Sequence, residues 1–284
     1  MNMNSIKNKI KRWFSLALFC CMATACKKNV EAVLPDNQQD IRVNYYGASD
    51  VLPETDLNVD ISLLLDGKQY QQYQAAFRFE SDNDIHVYPR TFQNSDDRQI
   101  GYARYVAQPY RFAFAGENIK LVDTLLNLEP ATFHCLYLTD VLTAQNSAPK
   151  YGLLAVKETR QAIPDGQIGV RFINLSPETN SLEVVLTTVG GNDRPLAATA
   201  FLKASEYSYL DPKDATEGLL RFKLTDTDGS VIYTAVPATA GRSYAVIAQG
   251  FKTDQRRQIA NGNGQGVSTL TISNNLRALV RRTY

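Results

Sequence analysis

The chain has 284 residues, 44% hydrophobic and 21% charged, enough apolar material for more than one core and too much for a disordered chain. Lys and Arg number 30 against 29 Asp and Glu, a formal net charge of +1, which excludes a polybasic nucleic-acid binder. Only 2 histidines are present, so a histidine-built metal or general-base centre has little to draw on.

Residues 1–25 carry Lys7, Lys9, Lys11 and Arg12 and no acid, followed by an apolar run from Trp13 to Ala25. As a helix, about 13 residues rise about 20 Å, short of a hydrocarbon core of about 30 Å. A basic start, a short apolar stretch and small residues before a break describe a secretory signal peptide. Thr24-Ala25 then meets Cys26, and Lys27-Lys28 ends the run. This junction resembles the lipobox of bacterial lipoproteins, in which the cysteine is diacylated and becomes the new N-terminus. Ala23 stands where leucine is commonest. Cys20 and Cys21 follow Phe19 and Cys20, which are not of the small type. An ordinary cleaved signal with an incidental cysteine is the alternative. Cys26 is the expected lipidation site, since a diacyl anchor meets the two-chain requirement for stable attachment.

Cysteine usage then simplifies. Cys20 and Cys21 leave with the signal and Cys26 is acylated, so Cys135 remains alone and no internal disulfide can form. Cys135 lies in the strand-like run Phe133-His-Cys-Leu-Tyr-Leu138, which suits a small buried hydrophobe better than a nucleophile. The signal also removes Trp13, the single tryptophan.

Residues 26–40 are polar, contain Pro35 and show no period, and read as a flexible linker. Beyond them the pattern turns to period two. Ile41 to Tyr45, Leu57 to Leu63, Arg111 to Ala115 and Phe133 to Leu138 are short runs rich in β-formers. Gly169 to Ile173, Leu182 to Leu186, Leu220 to Leu224, Val231 to Tyr233 and Ser243 to Ala248 repeat the character. A helical stripe with caps is not sustained anywhere, so the chain is expected to be all-β.

The runs also repeat in order. Ile41, Val43, Tyr45 and Ser49 can be laid on Ile168, Val170, Phe172 and Ser176. Arg111-Phe112 with Thr124 matches Arg221-Phe222 with Thr234 at the same spacing. Leu126, Pro130, Phe133 and Leu136 run parallel to Val236, Ala240, Tyr244 and Ile247, and Tyr151 to Val156 to Leu270 to Leu276. Leu276, Leu279, Val280 and Thr283 also fit a short helix, but a strand completes the duplication. The expectation is two tandem immunoglobulin-like antiparallel β-sandwich domains, residues 41–163 and 164–284, divided at Ile163-Pro164. A barrel is the competing all-β solution.

The second copy carries a resemblance. Gly169-Val-Arg-Phe-Ile-Asn-Leu-Ser-Pro177, Leu182-Glu-Val184 and Gly241-Arg-Ser-Tyr-Ala-Val-Ile-Ala-Gln-Gly250 are similar to the opening and closing strands of domain-of-unknown-function family 4397. The first copy fits loosely, because Gly47-Ala-Ser-Asp50 lacks the proline and Phe133 to Leu138 lacks the closing glycine. The resemblance implies a tandem envelope lipoprotein of Bacteroidota, with no known catalysis.

Each candidate for chemistry has a plainer reading. Asp226-Thr-Asp-Gly229 is similar to a calcium loop but lacks its further carboxylates, and Asp-Gly between strands is a hairpin turn. Asn261 to Gly266 has no following lysine and no strand-to-helix context, so it reads as a hairpin loop. Ser81 to Asp84 and Asp96-Asp97 read as solvated acids, and His86 and His134 lie on strands without ligands at metal spacing. Tyr45, Tyr46, Tyr70, Tyr73, Tyr88, Tyr102, Tyr105 and Tyr110 crowd the first copy. They suit either sheet faces or an aromatic binding patch. Lys252, Arg256, Arg257, Arg277, Arg281 and Arg282 make the C-terminal stretch basic, and exposed charges on a strand's outer face are preferred to a docking site.

The sequence thus points to a non-catalytic, lipid-anchored protein of the cell envelope at the outer membrane, its face undecided, that recognises a glycan or a protein. No cofactor, metal, catalytic residue or nucleic-acid partner is expected, and neither ligand-binding residues nor an oligomeric state is legible. The alternative is a structural or assembly subunit, fimbria-like or transporter-associated, marked by strand donation.

Overall fold

The computed structural model describes residues 40–54, 60–65, 68–74, 103–106, 109–116, 119–158, 163–188, 191, 193–260 and 266–283. The signal segment, most of the linker, Cys26, Ser81 to Asp84, His86, Tyr88, Asp96-Asp97 and Tyr102 lie outside them.

The chain is all-β. The first half supplies β1 (Asp40–Gly47), β2 (Asp60–Leu65), β3 (Lys68–Gln74), β4 (Ala103–Val106), β5 (Pro109–Gly116), β6 (Ile119–Asn127), β7 (Thr132–Val141) and β8 (Lys150–Glu158). The second supplies β9 (Ile168–Asn174), β10 (Ser181–Thr187), β11 (Arg194–Ala200), β12 (Lys203–Ala204), β13 (Ser208–Leu210), β14 (Leu219–Asp226), β15 (Val231–Pro237) and β16 (Ser243–Gln249). It ends with β17 (Gln255–Ala260), β18 (Val267–Ile272) and β19 (Arg277–Arg282).

Strand order repeats between the halves. One pair of sheets runs β4-β1-β7-β8 and β12-β9-β16-β19, with β13 also on β9; the other runs β3-β2-β5-β6 and β11-β10-β14-β15. Register repeats as well, since Phe112 faces Thr124 across β5 and β6 as Phe222 faces Thr234 across β14 and β15.

Three expectations need correction. The sheets are not purely antiparallel, because β1 runs parallel to β7 and β9 parallel to β16. Parallel neighbours need a long crossover, and here the whole second sheet of each half lies between them in sequence. The counterpart of β8 is β19, not Leu270 to Leu276, because β19 pairs antiparallel with β16 as β8 does with β7. β18 pairs instead with β17, in a hairpin without an equivalent among the described residues of the first half. Finally, the match of Phe133 and Leu136 to Tyr244 and Ile247 is one residue out of step. Val43 faces His134 and Val170 faces Tyr244, so His134 is the equivalent of Tyr244. A slip of one residue in a strand exchanges its two faces.

Period two explains the second half's outer sheet. Leu182, Val184 and Leu186 of β10, and Leu220, Phe222 and Leu224 of β14, point inward, with more exposed residues between them. They meet Ile168, Val170, Phe172, Tyr244, Val246 and Ala248 from β9 and β16. Phe172 and Phe222 pack edge to face, centroids 5.2 Å apart.

The sheet holding β9 and β16 is covered on its other side too. Every residue of β9 and β16 is buried, as is Thr132 to Asp140 of β7. Ile173, Leu175, Ala245 and Ile247 form a second core with Tyr46, Ala48, Cys135, Tyr137 and Val156 of the first half. Strands covered on both faces lose the alternation of a half-solvated strand and read as near-continuous apolar runs. The described residues accordingly form one compact unit.

Candidate functional site at the junction of the halves

Where the halves meet, small side chains let two sheets approach and long polar ones fill what remains. Ala48, Cys135 and Ala245 leave room beside Tyr46 and Tyr137, whose rings lie 5.6 Å apart. Arg281 of β19 enters from the second half and is only 1% exposed. Its Nη1 donates to Cys135 Sγ at 2.8 Å, and its guanidinium lies 5.7 Å from the Tyr46 ring and 6.0 Å from the Tyr137 ring. Tyr46 Oη donates to Gln249 Oε1 at 3.1 Å. Burial pushes the Cys135 thiol and both phenols upward. A buried, protonated thiol is structural, since reactive cysteines are accessible thiolates.

On the same rung of the sheet as Arg281, Arg171 of β9 meets Glu158 of β8 at 3.2 Å, with both side chains buried. Tyr207 Oη donates to the same Glu158 Oε2 at 3.0 Å, and the Arg171 guanidinium sits 4.2 Å from the Tyr207 ring centre. Burial, then the charge of Glu158, drives the Tyr207 phenol well up. Arg171 also donates to Lys157 O at 3.1 Å.

A third cluster forms where β1 ends. Asp140 of β7 is 3% exposed and accepts from Ser49 Oγ at 2.5 Å and from the amides of Asp50 at 2.8 Å and Val51 at 3.4 Å. Ser49 Oγ in turn accepts from Leu52 N at 2.9 Å. The turn so fixed presents Asp50 to Arg277 of the second half, with contacts of 2.6 and 3.2 Å. Burial outweighs these donors and raises the Asp140 carboxyl to about 7. Nearby, the β17–β18 hairpin grips the loop after β7. Asn146 N donates to Arg256 O at 2.9 Å, and Gln258 N to Ser147 O at 3.0 Å.

The calcium-like loop is a turn. Gly229 has φ +87, and its amide returns to Asp226 O at 2.9 Å, closing the β14–β15 hairpin. Asp226 and Asp228 both accept from Lys252 Nζ, at 2.6 and 2.8 Å. A lysine of the chain thus occupies the place between the two carboxylates where a cation would sit. Glu178 accepts from Thr253 N at 2.9 Å and Gln255 Nε2 at 3.0 Å. Among the described residues, no group of three His, Cys, Asp or Glu is arranged to hold a metal ion.

These placements revise the reading of the basic C-terminal stretch. Lys252 is tied to two acids, Arg257 and Arg281 are buried, and Arg277 clamps Asp50. The segment is mostly inward-facing, neither an exposed charged face nor a basic docking patch. Tyr46 also leaves the tyrosine patch for the core between the halves. His134 is buried, its Nε2 2.8 Å from Thr132 Oγ1, and burial lowers it to about 4. The Gly-rich loop's residues 261–265 are outside the described set.

Sequence reasoning missed the roles of Arg171, Glu158 and Asp140, and placed Arg281 on an exposed face. A signal existed: Arg171 and Asp140 interrupt otherwise apolar strands, which marks a buried polar partner. Among the described residues, no helix is long and apolar enough to cross a membrane. In comparisons with known proteins, no family model and no curated protein matches the chain.

Proposed function

We propose that the chain is a non-catalytic lipoprotein of the bacterial cell envelope, anchored at the outer membrane through Cys26 and built to recognise a glycan or a protein. The observation that carries this reading is the Ala23-Thr24-Ala25-Cys26 junction, which follows a basic start and an apolar run too short to span a bilayer. The body beyond it supports display. Its two halves share a buried core, so loops at the strand ends keep fixed positions relative to one another. The resemblance of Gly169 to Gly250 to family 4397 fits the same placement and proposes tandem domains on either side of Ile163-Pro164.

Strand donation in an assembly is the second reading. The edge strand β11 weighs against it, because Pro195 lies within β11 and has no amide to donate. The test is to present the Cys26→Ser chain to glycan and protein arrays and, in parallel, to crosslink the parent in intact envelopes. Saturable binding to an array component supports recognition. Self-crosslinked oligomers with no array binding reject it in favour of assembly.

A further inference from the structure

The β17–β18 hairpin is fixed to the body on one face and along one edge. Ile272, with Leu270 beside it, packs against Val51 and Phe251. The outer edge of β17 is taken by the loop after β7, where Ser147 bridges Arg257 in parallel. Along its own outer edge β18 pairs with no strand among the described residues.

An edge of this kind presents a row of backbone donors and acceptors, and soluble proteins guard it with lysine, proline, a bulge or a cover. β18 has none of the first three. It reads Val267-Ser-Thr-Leu-Thr-Ile272, without charge or proline, and its register with β17 runs through without a bulge. Val267, Ser268, Thr269 and Thr271 are exposed. Other edge strands are guarded, β8 by Lys157, β11 by Pro195 and β19 by Arg282. β15 is uncharged as well, but it lies against β19 of the facing sheet.

We propose that β18 is the surface through which two copies of this chain associate, pairing antiparallel about a twofold axis so that their hairpins join into one four-stranded sheet. The composition of the strand selects a second copy as the occupant. A twofold axis normal to the sheet keeps each face together, so Val267, Thr269 and Thr271 meet one another on one face and Ser268, Leu270 and Ile272 on the other. Whichever residue sits on the axis, no charge faces a like charge, and β-branched side chains and threonines face one another, which favours the pair. On β17, Arg256 lies opposite Thr271. It and its mate stand at least three strand spacings apart, about 14 Å, beyond a screening length of about 8 Å. The body already holds the hairpin, so pairing orders little that was free. No strand leaves its own sheet, which separates this pairing from strand donation, and it stands whether or not Cys26 is acylated.

The test is sedimentation equilibrium of the full chain in detergent over a concentration series, with amide hydrogen exchange of residues 267–272 at both ends of the series. The parent should pass from monomer to dimer, and the β18 amides that point away from β17 should gain protection in step. Thr269→Lys, at an exposed position, brings two cations together across the axis and should raise the dissociation constant at least about tenfold. Val231→Lys, the same kind of change on β15, should leave it unaltered. A parent still monomeric at about 1 mM overturns the self-pairing and leaves the edge to a different polypeptide. A dimer that leaves exchange in β18 unchanged, or that forms as well in Thr269→Lys as in the parent, overturns it too. If Thr269→Lys does not fold, exchange in the parent decides alone: protection of β18 that rises with concentration supports the pairing, and protection that does not rise rejects it.

Discussion

Removing Glu158 should destabilise the whole body far more than removing the Arg171–Glu158 pair. The pair joins β8 to β9, with side chains 5% and 3% exposed, and Tyr207 adds a hydroxyl to the same carboxylate oxygen. Glu158→Ala leaves the Arg171 guanidinium buried beside the Tyr207 ring, still donating to the Lys157 carbonyl. An uncompensated buried charge of this kind costs about 3–5 kcal/mol, a large part of a total stability of about 5–15 kcal/mol. Arg171→Met with Glu158→Leu replaces both charges by apolar groups of similar volume. Because Glu158 Oε1 and Arg171 Nε are buried without a hydrogen-bond partner, the double variant should fall within about 1 kcal/mol of the parent, or above it. Urea unfolding of parent, singles and double, read as midpoints at a common slope, gives the cycle. If Glu158→Ala costs less than about 1 kcal/mol and the two changes simply add, the pair is hydrated and the reasoning is wrong.

Ile247→Ala, at a fully buried position of the core between the halves, should cost about 2–5 kcal/mol and shift one common unfolding transition. Calorimetry showing two transitions, with one unmoved, would contradict a shared core. Gly250→Ala should cost more than about 2 kcal/mol. Gly250 has φ +89, and an added Cβ would lie 2.5 Å from the Asn275 carbonyl oxygen; a measured change near zero would show that Asn275 yields easily. His134 is held neutral by burial, its pKa lowered to about 4, so the unfolded chain takes up its proton first as pH falls. Stability drawn from it is complete above about 6.5 and lost on the way down to about 4. Denaturant midpoints of His134→Phe should therefore fall less steeply than the parent's over that window.

Much of the fold could be read from alternation. The β10 and β14 strands keep polar residues on one side and apolar ones on the other, because one of their faces meets water. That same rule hid the middle of the molecule. β7, β9 and β16 are buried on both faces, so an unbroken apolar run concealed which residue faced which sheet, and the match between copies slipped by one. Parallel pairing of β1 with β7 was invisible because a strand's pattern does not encode its direction. The β17–β18 hairpin displaced the last strand, since Leu270 and Ile272 alternate as well as any core strand does. At the junction, charge misled. Arg257 and Arg281 look like surface residues in a basic tail, and only distant neighbours, the charges of Asp140 and Glu178 for Arg257 and the Cys135 sulfur for Arg281, show why burial is tolerated. Asp140 gave no local sign of its donors, because Ser49 lies ninety-one positions away along the chain.

The anchor at Cys26 is the claim on which placement and display both depend. Intact-mass analysis of the native protein extracted from membranes addresses it directly. The expected result is a chain beginning at Cys26 and heavier by a diacylglycerol group, absent from the Cys26→Ser product, which leaves the membrane fraction. A native chain with an unmodified terminus, or a Cys26→Ser product that stays with the membrane as the parent does, would contradict it.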